Sequence, residues 1–210
     1  MKTQFTIILI ILFLIACKEE QVKISEETSY KSKSPDIFKI VNDYKKVSKL
    51  VSNYLTKDTA KIELYLQLDK NDVTKRIANF DSIPQTDYYA YNLIRNKQGK
   101  IIYISEYPVT DSDAYDMIYE SYFDLEGNLI TFVRKCVFTD GECAKVVKER
   151  SDYYFDAKHH LILKTYELTD QDMKPLNFAT CIFNYRYDYH IYKTVKEYLK
   201  ACQFVFSNRV

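Results

Sequence analysis

The sequence predicts an α+β domain in which an antiparallel meander of about seven or eight strands carries an N-terminal and a C-terminal helix. Three observations predict it. Apolar residues recur at helical spacing over residues 37–54, β-type runs separated by short turns follow residue 87, and the 210 residues include 20 tyrosines but only three glycines. Sequential strands joined by short turns form antiparallel pairs, and helices bury the apolar faces of such a sheet.

The first predicted element is a long amphipathic helix from Pro35 to about Thr56. Lysines occupy its other face, and its apolar stripe consists of Ile37, Ile40, Val41, Tyr44, Val47, Val51 and Tyr54. Alternating apolar and polar residues then predict a strand over residues 60–68. The acidic residues at 69–72 predict the start of a short helix that continues to Asn79.

Three hairpins are predicted after residue 87. Their paired segments are residues 88–95 with 100–107, 114–124 with 128–138, and 142–155 with 160–168. A last strand over residues 178–187 and a helix capped by Asp188 complete the domain. Residues 122–130 resemble residues 154–162, one hairpin later. This aromatic-Asp-x-x-Gly-x-Leu pattern is similar to the turns of YD-type β-repeat proteins, although two copies are too few for a repeat array.

The N-terminus has the features of a secretory signal. Lys2 supplies a positive charge, residues 5–15 form an apolar run of 11 positions interrupted only by Thr6, and Ala16 precedes Cys17. A bilayer span needs about 20 apolar residues, so this run predicts cleavage rather than a membrane-spanning helix. Leu14-Ile15-Ala16-Cys17 resembles the lipobox of bacterial lipoproteins. The resemblance implies that residues 1–16 are removed and that Cys17 is acylated and anchors the protein in the membrane.

The residues after Cys17 resemble an export tag. Lys18-Glu19-Glu20 is similar to the tag that carries lipoproteins of Bacteroidota to the outer face of the outer membrane. The chain as a whole resembles the small lipoproteins of that group. Residues 17–34 are rich in Lys, Glu, Ser and Thr and predict a flexible lipidated tether, which leaves residues 35–210 as one globular domain.

Charge excludes two classes of partner. Removal of the signal also removes Lys2, so the 30 basic residues become 29 and equal the 29 acidic ones. A neutral chain provides neither a basic field for nucleic acid nor a polybasic patch for anionic lipid. We therefore expect no nucleic-acid partner, and the lipid on Cys17 is the predicted contact with the membrane.

Four cysteines remain in the exported domain: Cys136, Cys143, Cys181 and Cys202. Oxidising conditions outside the cytoplasm permit two disulfides, and four cysteines can pair in three ways. The preferred pairs are Cys136 with Cys143 across a turn and Cys181 with Cys202. The first pair lies on a diagonal and would be stretched for a disulfide. No CxxC or Cys/His spacing predicts a metal site.

No catalytic constellation stands out, so the prediction is a protein that is not an enzyme and needs no cofactor. His159 and His160 share a tight turn, and His190 begins the last predicted helix. Asp111-Ser112-Asp113 with Asp116 is an acidic cluster, but it lacks the glycine and the final glutamate of a calcium-binding loop. No GxSxG, HExxH or phosphate-binding loop is present.

Tyrosines provide the candidate binding face. Neighbouring strand residues point to opposite faces, so Tyr88 with Tyr89, and Tyr153 with Tyr154, cannot share one core unless both faces are covered. These four residues and Tyr91 are the predicted contact residues for an envelope protein or a glycan. The alternatives are a carrier or receptor for an apolar ligand, which needs an apolar concavity, and an envelope hydrolase, which needs a carboxylate beside a histidine inside a cleft.

Overall fold

Eight antiparallel strands form one sheet in the order β2-β1-β3-β4-β5-β6-β7-β8. A computed structural model describes residues 35–79, 87–109, 115–141, 143–181, 183 and 189–206. Helix α1 spans Pro35–Lys57 and helix α2 spans Val195–Ala201. The strands are β1 Ile62–Gln67, β2 Lys75–Ile77, β3 Tyr88–Arg95, β4 Ile101–Val109, β5 Tyr115–Phe123, β6 Leu129–Gly141, β7 Ala144–Phe155 and β8 Leu161–Asp170. The predicted α+β meander with two helices is confirmed.

Helix α1 covers one face of the sheet, which we call the α1 face. Val51 is buried in a cluster with Ile94 and Tyr103. The ring of Tyr44 packs edge-on against Tyr122 and Tyr154, with centroid distances of 5.0 and 5.6 Å. Edge-to-face packing is a favourable arrangement of aromatic rings. The apolar stripe predicted for residues 37–54 therefore faces the sheet.

The C-terminal segment, residues 189–206, covers part of the opposite face, which we call the α2 face. Tyr198 of α2 is buried there, and the ring of Phe204 lies 5.0 Å from that of Tyr65 and 5.2 Å from that of Tyr91. The backbone of the segment is also paired, since Leu129 N–H donates to the Lys193 carbonyl at 2.9 Å. Each face of the sheet is thus covered in part, which explains why apolar residues occupy both sets of alternate positions in several of its strands.

Four turns of the chain share one hydrogen-bonding pattern. Each starts with Asn or Asp, whose side-chain Oδ1 accepts the N–H groups two and four residues later, at 2.8–3.0 Å. The fourth residue has a positive φ. The turns are 96–100, 124–128, 156–160 and 170–174, and their positive-φ residues are Gly99, Gly127, His159 and Met173. The sequence resemblance between residues 122–130 and 154–162 is therefore a structural repeat of the turn.

Two predicted elements are wrong. Residues 69–79 do not form a helix, because they fold back through a turn in which Asp69 Oδ1 accepts Asn71 N–H at 2.8 Å, and β2 then pairs with β1. Such local side-chain bonds compete with a helix. In the predicted last strand, Phe178–Thr180 form a 3-10 turn capped by Asn177, and residues 182 and 184–188 lie outside the described residues.

The last helix begins later than predicted. Thr194 caps α2 by accepting the Glu197 N–H at 3.1 Å, whereas Asp188, the predicted cap, lies outside the described residues. Threonine at this position satisfies one of the backbone donors that a helix start leaves unpaired. The signal, Cys17 and the tether also lie outside the described residues.

Both preferred disulfide pairings are wrong, since the bond joins Cys143 to Cys181, with Cα atoms 4.9 Å apart. Cys136 lies opposite Glu149 in the β6–β7 ladder. Because Glu149 is six residues after Cys143, the distance along the strand from Cys143 to the position of Cys136 is roughly 20 Å. That separation is far beyond the ~7 Å that a disulfide can bridge. Cys202 is held near the β1–β2 edge, where its carbonyl accepts the Thr74 hydroxyl, whereas Cys181 is held at the start of β7. Cys136 and Cys202 remain buried thiols.

The repeated turn predicts that His159→Gly stabilises the protein by about 0.5–1 kcal/mol. His159 has φ 61°, where a side chain is strained, and its Nδ1 is buried with no hydrogen-bond partner among the described residues. Gly99 and Gly127 occupy the equivalent positions of the other turns. Urea unfolding measures the change, and His160→Gly is the control. This explanation of the turn would be contradicted if His160→Gly raised the free energy of unfolding while His159→Gly left it unchanged or lowered it.

Candidate binding surface

Six residues over the last three strands form a charged aromatic surface on the α2 face. We call it the β6–β8 surface, and it consists of Arg134, Glu149, Tyr153, Lys164, Tyr166 and Tyr189. The alternation of each strand places the first five on one face, and the segment that leads into α2 places Tyr189 above them. Rings and charges from four parts of the chain therefore share one surface.

Tyr189 lies at the centre of this surface and is 37% exposed. Its ring stacks on buried Phe132 with a centroid distance of 5.5 Å and an interplanar angle of 13°. Its hydroxyl oxygen lies 3.1 Å from that of Tyr153. One ring face is thus anchored on the core, while the ring edge and hydroxyl meet solvent.

Two cations lie over the rings. The Arg134 guanidinium carbon is 5.7 Å from the Tyr189 centroid, and Lys164 Nζ is 5.0 Å from the Tyr153 centroid. A cation within about 6 Å of a ring centroid is attracted to the ring. These contacts orient both long side chains across the surface and place positive charge above the aromatic rings.

Electrostatic contacts hold the arrangement together. Arg134 pairs with Glu149, which is buried. Burial and the carboxylate of Glu149 raise the pKa of Tyr166. Burial and then the hydrogen bond with Tyr153 raise the pKa of Tyr189 to about 12. Both hydroxyls stay protonated at neutral pH, that of Tyr166 donates to Glu149, and that of Tyr189 shares a hydrogen bond with Tyr153.

The five tyrosines predicted as a binding face are divided by the fold. Tyr91 and Tyr154 are only 1% and 7% exposed, so neither can contact a partner, because α1 and the C-terminal segment cover the two faces. Tyr88 and Tyr89 are half-buried, and Tyr89 packs against the core beneath Lys70. Only Tyr153 belongs to the β6–β8 surface. The sequence carried no signal for Tyr189, but strand alternation links Tyr153 to Lys164 and Tyr166 once the register is known.

The histidines are not assembled for catalysis. His160 Nδ1 lies 3.0 Å from Asp156 Oδ2, but both belong to one exposed hairpin turn. The exposed ring of His190 packs against Tyr192 at 4.7 Å. Within the part of the chain that the structure describes, no histidine and carboxylate meet inside a cleft. A general base needs a substrate site within hydrogen-bond reach, and the turn provides none.

A second polar cluster lies beneath α2. The Tyr198 hydroxyl donates to Glu106 Oε2 at 3.0 Å, and Cys202 Sγ lies 3.8 Å from the Tyr192 hydroxyl. Burial raises the pKa of Glu106. Burial and then the Glu106 carboxylate raise the pKa of Cys202 to about 12. Since the thiolate is the nucleophile, a cysteine with this pKa is a poor one at neutral pH.

A trough lies at the β1–β3 edge of the sheet. It has a volume of about 890 Å³ and is open to solvent. Its lining mixes apolar and polar residues: Thr59, Ala60, Ile62, Leu64, Arg76, Ile77, Ala78 and Asn92. Pockets that hold apolar ligands enclose most of the ligand surface, which an open trough does not do.

Asp111, Ser112 and Asp113 lie outside the described residues, and the residues that are described contain no group of three His, Cys, Asp or Glu side chains placed to hold a metal ion. Neither described helix combines the length and apolar character that a membrane span requires.

Comparison with known proteins gives no match: no family model, curated protein or solved structure is similar to this chain.

The buried Glu106 predicts a pH dependence of stability. The pKa of Glu106 is raised in the folded protein, so folding favours the neutral carboxyl group. The contribution of this group to stability is therefore complete below the usual carboxyl pKa, and it is lost as pH rises through the raised pKa of the folded state. Glu106→Gln keeps a neutral acceptor for Tyr198. We expect the variant to gain stability over the wild type as pH rises above the usual carboxyl pKa of about 4.5, measured by urea unfolding across pH. Glu126→Gln, in an exposed turn, is the control, and equal pH profiles of wild type and Glu106→Gln would contradict the prediction.

Proposed function

We propose that this protein is a non-enzymatic, lipid-anchored component of the cell envelope that binds a partner protein through the β6–β8 surface. One observation carries the proposal: the half-exposed ring of Tyr189, fixed on Phe132 and flanked by Arg134 and Tyr153. Tyrosine and arginine are enriched at the centres of protein interfaces, where a rigid ring contributes contact area at low entropic cost. A fixed tyrosine bordered by cations fits that role.

The cations favour a protein over a glycan as the partner. Sugars bind by stacking on the open face of an aromatic ring, but Lys164 lies over the Tyr153 ring, and the Tyr189 ring has Phe132 stacked on it and Arg134 lying over it. A sugar would have to displace these side chains. A protein can instead place carboxylates against Lys164 and Arg134 while its own apolar side chains contact the ring edges. We therefore expect an acidic partner surface.

The N-terminal residues support the proposed location. Leu14-Ile15-Ala16-Cys17 resembles a lipobox, and Lys18-Glu19-Glu20 resembles a surface-export tag. Several acyl chains, each methylene contributing ~0.8 kcal/mol, would hold the protein on the membrane almost permanently. We propose an outer-membrane lipoprotein whose domain faces the cell surface. A tether of residues 17–34 would reach roughly 60 Å when extended.

The anchor is tested by Cys17→Ser. Loss of the acylated thiol is expected to move the protein from the membrane fraction to the soluble fraction, measured by fractionation and immunoblotting. Ser25→Ala, in the same tether, is the control. A Cys17→Ser protein that stays with the membrane would contradict the anchor, and protection from external protease on intact cells would contradict exposure at the surface.

The binding surface is tested by crosslinking in cells followed by mass spectrometry. Tyr189→Ser is expected to reduce the yield of the main crosslinked protein by about tenfold or more, because removal of a central interface tyrosine costs at least about 1–2 kcal/mol. Leu125→Ser, which removes a similarly exposed apolar side chain from the 124–128 turn, should leave the yield unchanged. Equal losses in both variants would contradict the proposal. Recovery of glycan instead of protein would favour the glycan alternative.

A further inference from the structure

Strand β8 is the last strand in the order of the sheet and carries two residues of the β6–β8 surface, Lys164 and Tyr166. It spans Leu161–Asp170 and pairs on one side with β7. The other edge of the sheet, β2, has three residues. A long edge strand presents unpaired N–H and C=O groups, which are a template for another extended chain.

One end of this edge already carries an added segment. Leu176 N–H donates to the Leu168 carbonyl at 2.9 Å, and Asp170 N–H donates to the Lys174 carbonyl at 3.0 Å. Residue 175 forms an antiparallel bridge with Thr169. The edge therefore accepts an antiparallel chain, and the backbone groups of Leu168 and Asp170 point away from β7.

Alternation extends this direction along the strand. In an antiparallel edge strand every second residue points its N–H and C=O outward, so Lys164 and Tyr166 share the orientation of Leu168 and Asp170. Among the described residues, none forms a backbone hydrogen bond with the outward groups of Lys164 or Tyr166. The two side chains lie on the α2 face, and Tyr166 is 40% exposed. Open backbone groups and two members of the β6–β8 surface thus coincide.

We propose that an extended segment of the partner protein adds to β8 as a ninth strand along residues 162–166. The proposal rests on the proposed function and names the way in which the partner is bound. The added strand runs antiparallel to β8, as residues 174–176 do. Because those residues occupy the end of the edge beside residues 168–170, the added strand is limited to about five residues. Main-chain hydrogen bonds hold the strand, as in other complexes in which a peptide extends a sheet.

The side chains of β8 define the chemistry of the segment. The partner residue opposite Lys164 has its side chain on the α2 face, about 5 Å from that of Lys164, so it is acidic. The next partner residue lies opposite Leu163 on the α1 face, where β8 is half-buried, so it is apolar. The partner residue opposite Tyr166 meets the exposed part of a ring that also packs against Phe178, with a centroid distance of 5.8 Å, and it is aromatic or β-branched. In an antiparallel strand the partner segment therefore presents an aromatic or β-branched, then an acidic, then an apolar residue opposite Tyr166, Lys164 and Leu163.

The probe is the labelled peptide acetyl-Tyr-Thr-Glu-Val-Thr-amide, with a peptide that has Lys in place of Glu as its control. Binding to the full chain in detergent micelles is measured by fluorescence anisotropy. Lys164→Ala removes the charge and should weaken binding up to about fivefold. Lys164→Pro removes the charge and also the outward N–H, which β7 does not use, so it should weaken binding about fivefold more than Lys164→Ala.

Hydrogen exchange provides a readout that needs no variant. In the free protein the Lys164 and Tyr166 amides should exchange faster than those of Leu163 and Thr165, which pair with β7, and the Glu peptide should slow them. Three results would overturn the proposal: no binding of the Glu peptide by the wild type, equal binding by Lys164→Pro and Lys164→Ala, or protected Lys164 and Tyr166 amides in the free protein. If Tyr189→Ser still reduced crosslinking of the partner in those cases, the proposed binding surface would stand and only the proposal of an added strand would be contradicted.

Discussion

Burial of aromatic side chains on both faces of one sheet is the constraint on which the rest of the structure depends. Tyr153 and Tyr154 are neighbours in β7, yet Tyr154 packs under Tyr44 of α1 while Tyr153 contacts Tyr189 of the C-terminal segment. Burial of one large apolar side chain contributes about 1.5–3 kcal/mol, so neither face can be left in water without a large loss of stability. Helix α1 alone cannot stabilise the sheet, and the C-terminal segment is an essential second layer.

The turns preserve this two-sided pattern. A slip of one residue between strands would exchange the two faces, which places Lys and Glu residues in the core. The Asp and Asn side chains that start the turns each accept two backbone N–H groups, and this fixes the length of each loop. His159 and Met173 adopt the backbone conformation that Gly99 and Gly127 adopt at the equivalent positions. The turn geometry is therefore maintained even where the residue type opposes it.

The sequence allowed the hairpins and α1 to be predicted because their periodicities of 2 and 3.6 are local properties. The failures involve contacts between distant parts of the chain. Residues 69–79 contain good helix-start residues, but pairing of β2 with β1 decides their structure. The Cys143–Cys181 bond joins residues that are 38 positions apart, which no local pattern encodes. Contact of Tyr189 with Phe132 is likewise a long-range contact, so of the five predicted tyrosines only Tyr153 belongs to the site.

Contact of a partner protein with the α2 face, rather than the α1 face, is the central claim. Site-specific incorporation of a photo-crosslinking phenylalanine analogue at two exposed aromatic positions tests it most directly. Tyr189 represents the α2 face, and Phe38, 75% exposed on α1, represents the other side. Light is expected to produce a discrete protein adduct in cells when the analogue is at position 189 and not when it is at position 38. An adduct from position 38 alone would contradict it.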